Sequence, residues 1–147
     1  DLQECLESVI ERLEPLAATA AVSVRLADSA FHQEVLGNPA LLCEVFFNVL
    51  DNAIRYNHPG GSVLVGVGHE GTLASVYVED TGPGIAPPDR ERVFQRFHRL
   101  PRDQHREGSG LGLAIVRTLA LHLGGEAKLE SARAGSGLRV VLRFRKA

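Results

Sequence analysis

The stretch Val78-Glu79-Asp80-Thr81-Gly82-Pro83-Gly84-Ile85 closes an alternating apolar run on an acid and then breaks into two closely spaced glycines. Such a run reads as a strand that must end there, because residues without a Cβ let the backbone turn sharply and approach a flat group. A carboxylate at a strand end accepts a hydrogen bond from the exocyclic amine of adenine, whereas guanine would set a carbonyl against it. Asp80 is therefore the expected selector of ATP over GTP. Taken alone the pattern is also ordinary turn chemistry, and its meaning depends on what flanks it.

The 147 residues fit one domain, large enough to fold without a metal or a disulfide. A net charge of -2 gives no global basic field of the kind that drives nucleic-acid binding, so no nucleic-acid partner is expected. The cations are mostly arginines, and Arg90, Arg92, Arg96, Arg99, Arg102 and Arg106 cluster in one segment. Guanidinium groups grip phosphate oxygens in fixed geometry, although the acids interleaved with them also fit a solvated face. Cys5 and Cys43 show no zinc-ligand spacing and suit a reducing compartment, with Cys43 in an apolar helical run. No apolar run is long enough to span a membrane, and no signal peptide is recognisable. A chain that starts at Asp1 and lacks methionine reads as a piece of a longer polypeptide.

Apolar residues from Leu2 to Ala17 recur at helical spacing, with Pro15 expected to kink that helix or end its regular part. Val22, Val24 and Leu26 read as a strand, and Val35-Leu36 as a second, weaker one. Asn38-Pro39 then places an N-cap and a first-turn proline before a helix from Ala40 to Tyr56. Opposite its apolar stripe, Glu44, Asn48, Asn52 and Arg55 fall within one arc. Asparagine competes for backbone hydrogen bonds in a helix interior, so this face either binds something or is simply solvated.

Ser62 to Val67 and Leu73 to Asp80 read as antiparallel strands joined at Glu70-Gly71. A short helix is expected from Asp89 to Phe94, with Phe94 and Phe97 as an anchor, and then a polar surface loop from His98 to Glu107. Gly108-Ser109-Gly110-Leu111-Gly112-Leu113 runs straight into a further helix, presenting first-turn amides and a dipole end that favour a phosphate. The lysine of a P-loop and the preceding strand of a dinucleotide fold are both absent. Gly124-Gly125 closes this helix, and Ala127 to Ser131 with Leu138 to Phe144 form a last hairpin.

In this order, the asparagine helix, Asp-x-Gly-x-Gly, paired phenylalanines, Gly-x-Gly-x-Gly and the closing Gly135-Ser136-Gly137 resemble the catalytic ATP-binding domain of bacterial sensor histidine kinases, within the GHKL ATPase superfamily. The likeness runs from about Leu2 to Phe144. It implies an α+β fold, a two-layer sandwich with a mixed sheet of about five strands packed on three helices and an ATP lid loop. By resemblance Asn52, with Asn48 beside it, ligates Mg²⁺, and Arg55 and Tyr56 lie near the nucleotide. Asp80, Gly82, Gly84 and Ile85 form the adenine segment. Gly108, Ser109, Gly110, Leu111, Gly112 and Leu113 cradle the phosphates, and Arg96 and Arg99 approach the γ-phosphate. The family usually has threonine where this chain has Leu138, with Thr81 or Ser136 as candidate substitutes.

Asn48 stands where ATP-hydrolysing members of the superfamily carry a glutamate to activate water, and an amide is no general base. The resemblance thus implies MgATP as donor and a histidine on a separate dimerisation segment as acceptor, with a response regulator downstream. None of the six histidines has the setting of that acceptor. It further implies a cytoplasmic portion of an inner-membrane sensor, joined to the membrane only through upstream segments. Other open readings are a GHKL-type ATPase, a serine protein kinase of the anti-sigma kind, and a nucleotide-binding interaction domain without catalysis.

Overall fold

A computed structural model describes residues 1–27, 33–90, 94, 112–132 and 137–147. The first helix, α1 (Leu2–Ala20), starts on the carboxylate of Asp1, which accepts from the Glu4 amide at 3.1 Å. It does not stop at Pro15 but runs through it to Ala20. Pro15 lies on the exposed side of the helix, where the Glu11 carbonyl that it leaves without a donor is open to water. Ala21 ends the helix in a left-handed conformation (φ 56°), its amide on Ala18 and that of Val22 on Ala17.

Strand β1 (Ser23–Leu26) follows. The second strand expected at Val35-Leu36 is only an isolated bridge from Val35 to Lys146. Gly37 turns away at φ 155° and Asn38-Pro39 opens the next helix, leaving no length for a ladder. Helix α2 (Pro39–Arg55) is capped as expected, the Asn38 side chain accepting from Ala40 N at 2.8 Å. Its stripe from Leu42 to Ile54 is buried against the sheet and the other helices.

Strands β2 (Ser62–Glu70) and β3 (Leu73–Asp80) form a hairpin about Gly71-Thr72, with β2 three residues longer than its apolar pattern. After a 3₁₀ turn at Pro87–Asp89, residues 91–93 and 95–111 lie outside the described residues, so the middle of the short helix expected from Asp89 to Phe94 and the whole lid fall there. Helix α3 (Gly112–His122) ends at Gly124 (φ 77°), and β4 (Glu126–Ser131) and β5 (Leu138–Arg145) form the final hairpin.

The five strands lie in the order β1-β2-β3-β5-β4, with β1 parallel to β2 and the remaining pairs antiparallel. All three helices pack on one face, the α+β two-layer arrangement expected. Phe46 of α2 meets Phe144 of β5 edge to face at 6.0 Å, both fully buried, and joins the layers. On the other face Tyr77 lies across Gly66, where a Cβ would fall 2.1 Å from its ring. Arg139 stacks on Tyr77 at 4.0 Å and pairs with Glu79 at 3.3 Å. Packing of α1 on α2 also brings together Cys5 and Cys43, which look unrelated in sequence. Burial pushes the Cys5 thiol up to about 11, and its hydrogen bond with Cys43 adds to that.

Candidate nucleotide site

Asp80 ends β3 between β2, where Val63 is its partner, and the start of β5. Its Oδ1 accepts two backbone amides, Gly82 N at 2.9 Å and Leu138 N at 3.1 Å. Among the described residues Oδ2 has no protein donor. Burial raises the carboxyl above its ordinary pKa, outweighing the two amides that pull it down. The group is thus locked at one oxygen and open at the other.

Close backbone approaches bring three segments to this acid. A Cβ on Gly137 would fall 1.7 Å from the Asp80 carbonyl oxygen, so only glycine lets the start of β5 come so near. A Cβ on Gly82 would lie 2.9 Å from the carbonyl oxygen of Tyr56, which places the turn after Asp80 against the end of α2. Gly84 is left-handed (φ 72°) and carries the chain to Ile85, which packs on the core. The Ile85 carbonyl accepts from Arg90 Nε at 3.1 Å, and Arg90 Nη2 donates to Ser131 Oγ at 2.8 Å, tying this loop to β4.

On α2 the polar residues differ in their commitments. Asn48 Nδ2 donates to the Glu44 carbonyl at 2.8 Å and to Glu44 Oε1 at 3.2 Å. Arg55 turns its Nε to Asp51, 3.0 Å from both carboxylate oxygens. Asn52 is half-buried, and its side-chain amide has no hydrogen-bond partner among the described residues. One turn later Tyr56 caps the helix with its amide on the Asn52 carbonyl at 3.0 Å, while its own carbonyl faces Gly82. The structure therefore brings the end of α2, one turn beyond Asn52, against the turn that follows Asp80. The amide oxygen of Asn52 is of the neutral oxygen type that a hard divalent ion accepts as a ligand.

Gly112 and Leu113 open α3, with Leu113 half-buried. Arg96, Arg99, Gly108, Ser109, Gly110 and Leu111 lie outside the described residues, as does Ser136. Thr81, a candidate substitute for the missing threonine, has its hydroxyl accepting from Ser62 N at 2.9 Å and facing Asn57 Oδ1 at 3.3 Å. Leu138 buries its side chain and contributes its backbone amide instead. Sequence reading passes over that amide because every residue but proline has one, and over Asn57 because it belongs to no motif. The apolar cleft lined by Leu41, Thr118, Leu119, Leu121 and His122 shares none of the motif residues.

A mixed sheet backed by three helices, with a buried acid at the end of its central strand and the following turn set against the end of an asparagine helix, defines a class, a two-layer α+β sandwich. Residues 37–147 match the family of histidine kinase-, DNA gyrase B- and HSP90-like ATPases, and the chain belongs to it. It is 34% identical over 133 residues to the sensor histidine kinase RppB of Synechocystis, covering 89% of this chain and 29% of that protein. The solved mycobacterial sensor histidine kinase MprB superposes with a TM-score of 0.83 at 31% identity, over 99% of this chain and 95% of that one. Full-length ShkA, solved in complex with AMPPNP, gives a TM-score of 0.85 at 30% identity, over 100% of this chain and 31% of that one. The chain spans 19% to 33% of the length of the first curated relatives that it matches. Among the described residues no helix is long and apolar enough to cross a membrane.

Proposed function

We propose that the chain binds MgATP and donates the γ-phosphoryl group to a histidine on a separate dimerisation segment, as the catalytic domain of a two-component sensor histidine kinase. The observation that carries this reading is Asp80: one oxygen is held by two amides, and the other is uncommitted beside the end of the asparagine helix. In that state the carboxylate accepts the exocyclic amine of adenine and disfavours guanine.

The residues of α2 fit the metal end. Asn52 offers an uncommitted amide oxygen, with Asn48 one turn before it and Arg55 one turn after. Magnesium held there supplies positive charge to the phosphates. Arg96, Arg99 and the amides from Gly108 to Leu113 complete the proposed phosphate and lid contacts. Asn48 is no base, so the site orients a phosphoryl group for an outside nucleophile and does not activate water. The acceptor histidine domain of the same protein and a cognate response regulator are the proposed partners. The proposed location is the cytoplasmic side of a membrane-anchored sensor.

Titration calorimetry with MgATP, followed by labelling with γ-³²P-ATP, tests this. The chain is expected to bind MgATP yet remain unlabelled until an acceptor segment is added, which then acquires acid-labile phosphate. Strong self-labelling, or rapid release of inorganic phosphate by the chain alone, contradicts the proposal.

A further inference from the structure

Directly behind the nucleotide residues lies a polar assembly built on Asn57, which no motif contains. Asn57, next to the capping Tyr56, is only 7% exposed. Its Nδ2 donates to the Ser62 carbonyl at 3.1 Å. Its Oδ1 accepts from the His58 amide at 2.9 Å and from the Thr81 hydroxyl at 3.3 Å. The Thr81 hydroxyl accepts from Ser62 N at 2.9 Å, and the Thr81 amide donates to the Ser62 carbonyl at 3.2 Å. Nε2 of His58 is 3.0 Å from the Thr81 carbonyl. Gly61 makes room for this, since a Cβ there would fall 2.2 Å from Asn57 Oδ1.

These bonds join the end of α2, the start of β2 and the one residue between Asp80 and Gly82. Gly82 N is one of the two amides that orient Asp80, and the position of Gly82 follows from how Thr81 is held. Thr81 is exposed, yet its amide, carbonyl and hydroxyl are all engaged. A buried amide with every polar atom satisfied is costly to disturb and holds its neighbours in one geometry.

We infer that Asn57 and Thr81 are positioning residues for base recognition: Asn57 holds Thr81, and Thr81 sets the Gly82 amide that aims the Asp80 carboxylate. The same bonds keep the base end of the site in register with Asn52, since Asn57 directly follows the cap of α2. The inference rests on the nucleotide reading above and adds to it two residues that touch neither base nor phosphate.

Thr81→Val removes the hydroxyl at nearly constant volume, Thr81→Ser retains it, and Asn57→Asp turns a second oxygen on the Ser62 carbonyl. Calorimetry of the 147-residue chain with MgATP and with MgGTP reads the outcome. Thr81→Val is expected to weaken MgATP binding about three- to tenfold while MgGTP is unmoved, narrowing the preference for ATP by the same factor. Thr81→Ser restores the preference, and Asn57→Asp behaves as Thr81→Val. An unchanged ATP-to-GTP preference in Thr81→Val, whatever its melting temperature, overturns the inference and leaves the nucleotide reading standing. Failure of the unsubstituted chain to bind MgATP sinks that reading and the inference with it.

Discussion

Leu138 donates its backbone amide to Oδ1 of Asp80 across 3.1 Å, so that the beginning of the last long strand aims the acid at the end of the central one. That bond requires the preceding residue to pass almost in contact with the Asp80 backbone. Gly137→Ala would set a methyl group 1.7 Å from the Asp80 carbonyl oxygen. The strand must then withdraw and the bond must open. Overpacking of this kind costs about 1–3 kcal/mol. We expect a lowered melting temperature together with a loss of MgATP affinity. An alanine variant that melts and binds like the parent would show that the approach is dispensable.

Asp80→Asn should bind MgATP about ten- to hundredfold more weakly, since an amide can present its NH₂ to the amine of adenine. The parent should also lose affinity on acidification from a higher pH than an ordinary carboxylate would, because burial raises the Asp80 pKa. In the nucleotide-free domain the linkage has the opposite sense. A carboxyl whose folded pKa is raised contributes stability below its unfolded pKa, and that contribution is lost as pH rises through the folded pKa. Asp80→Asn should therefore gain stability relative to the parent at neutral pH and lose that gain in acid. Melting curves of both proteins across the acidic range, with and without MgATP, check the two signs.

Asn52→Ala removes the uncommitted amide of α2 without breaking a hydrogen bond to any described residue. The fold should be nearly untouched. We expect MgATP binding to weaken severalfold, while binding of ATP in excess EDTA, already weaker in the parent, changes little. Equal losses with and without the metal would assign Asn52 to the nucleotide rather than to magnesium.

Pro15 sits inside an unbroken 19-residue helix. Proline in such a place removes one backbone hydrogen bond and costs up to about 3 kcal/mol. Exposure of the site and the stiffer unfolded chain reduce that figure. Pro15→Ala should raise the melting temperature and leave MgATP affinity unchanged. A fall in stability would mean that the ring itself makes a contact worth more than the missing bond.

What was legible in the sequence is what local chemistry controls. Asn38-Pro39 opens α2, Gly124 ends α3 and Gly71 turns the central hairpin because each acts on its immediate neighbours. The acid at the end of β3 was legible for the same reason. Long-range register was not. Nothing near Cys5 announces Cys43, and nothing near Asp80 announces that Gly137 and Leu138 will meet it. Nor does the sequence near Thr81 announce that its hydroxyl will meet Ser62, brought in by the β2–β3 pairing, and Asn57 at the end of α2. Pro15 does not end α1, since packing of the helix outweighs a single missing bond.

The bond between Leu138 and Asp80 spans 58 positions of chain, and such distant closures form slowly because a long loop must first be drawn shut. A nascent or refolding polypeptide can thus possess its asparagine helix and its central hairpin while its acid still points nowhere in particular. On the proposed reading of Asp80, discrimination among purines waits for this closure and is lost if the carboxy-terminal strand peels away.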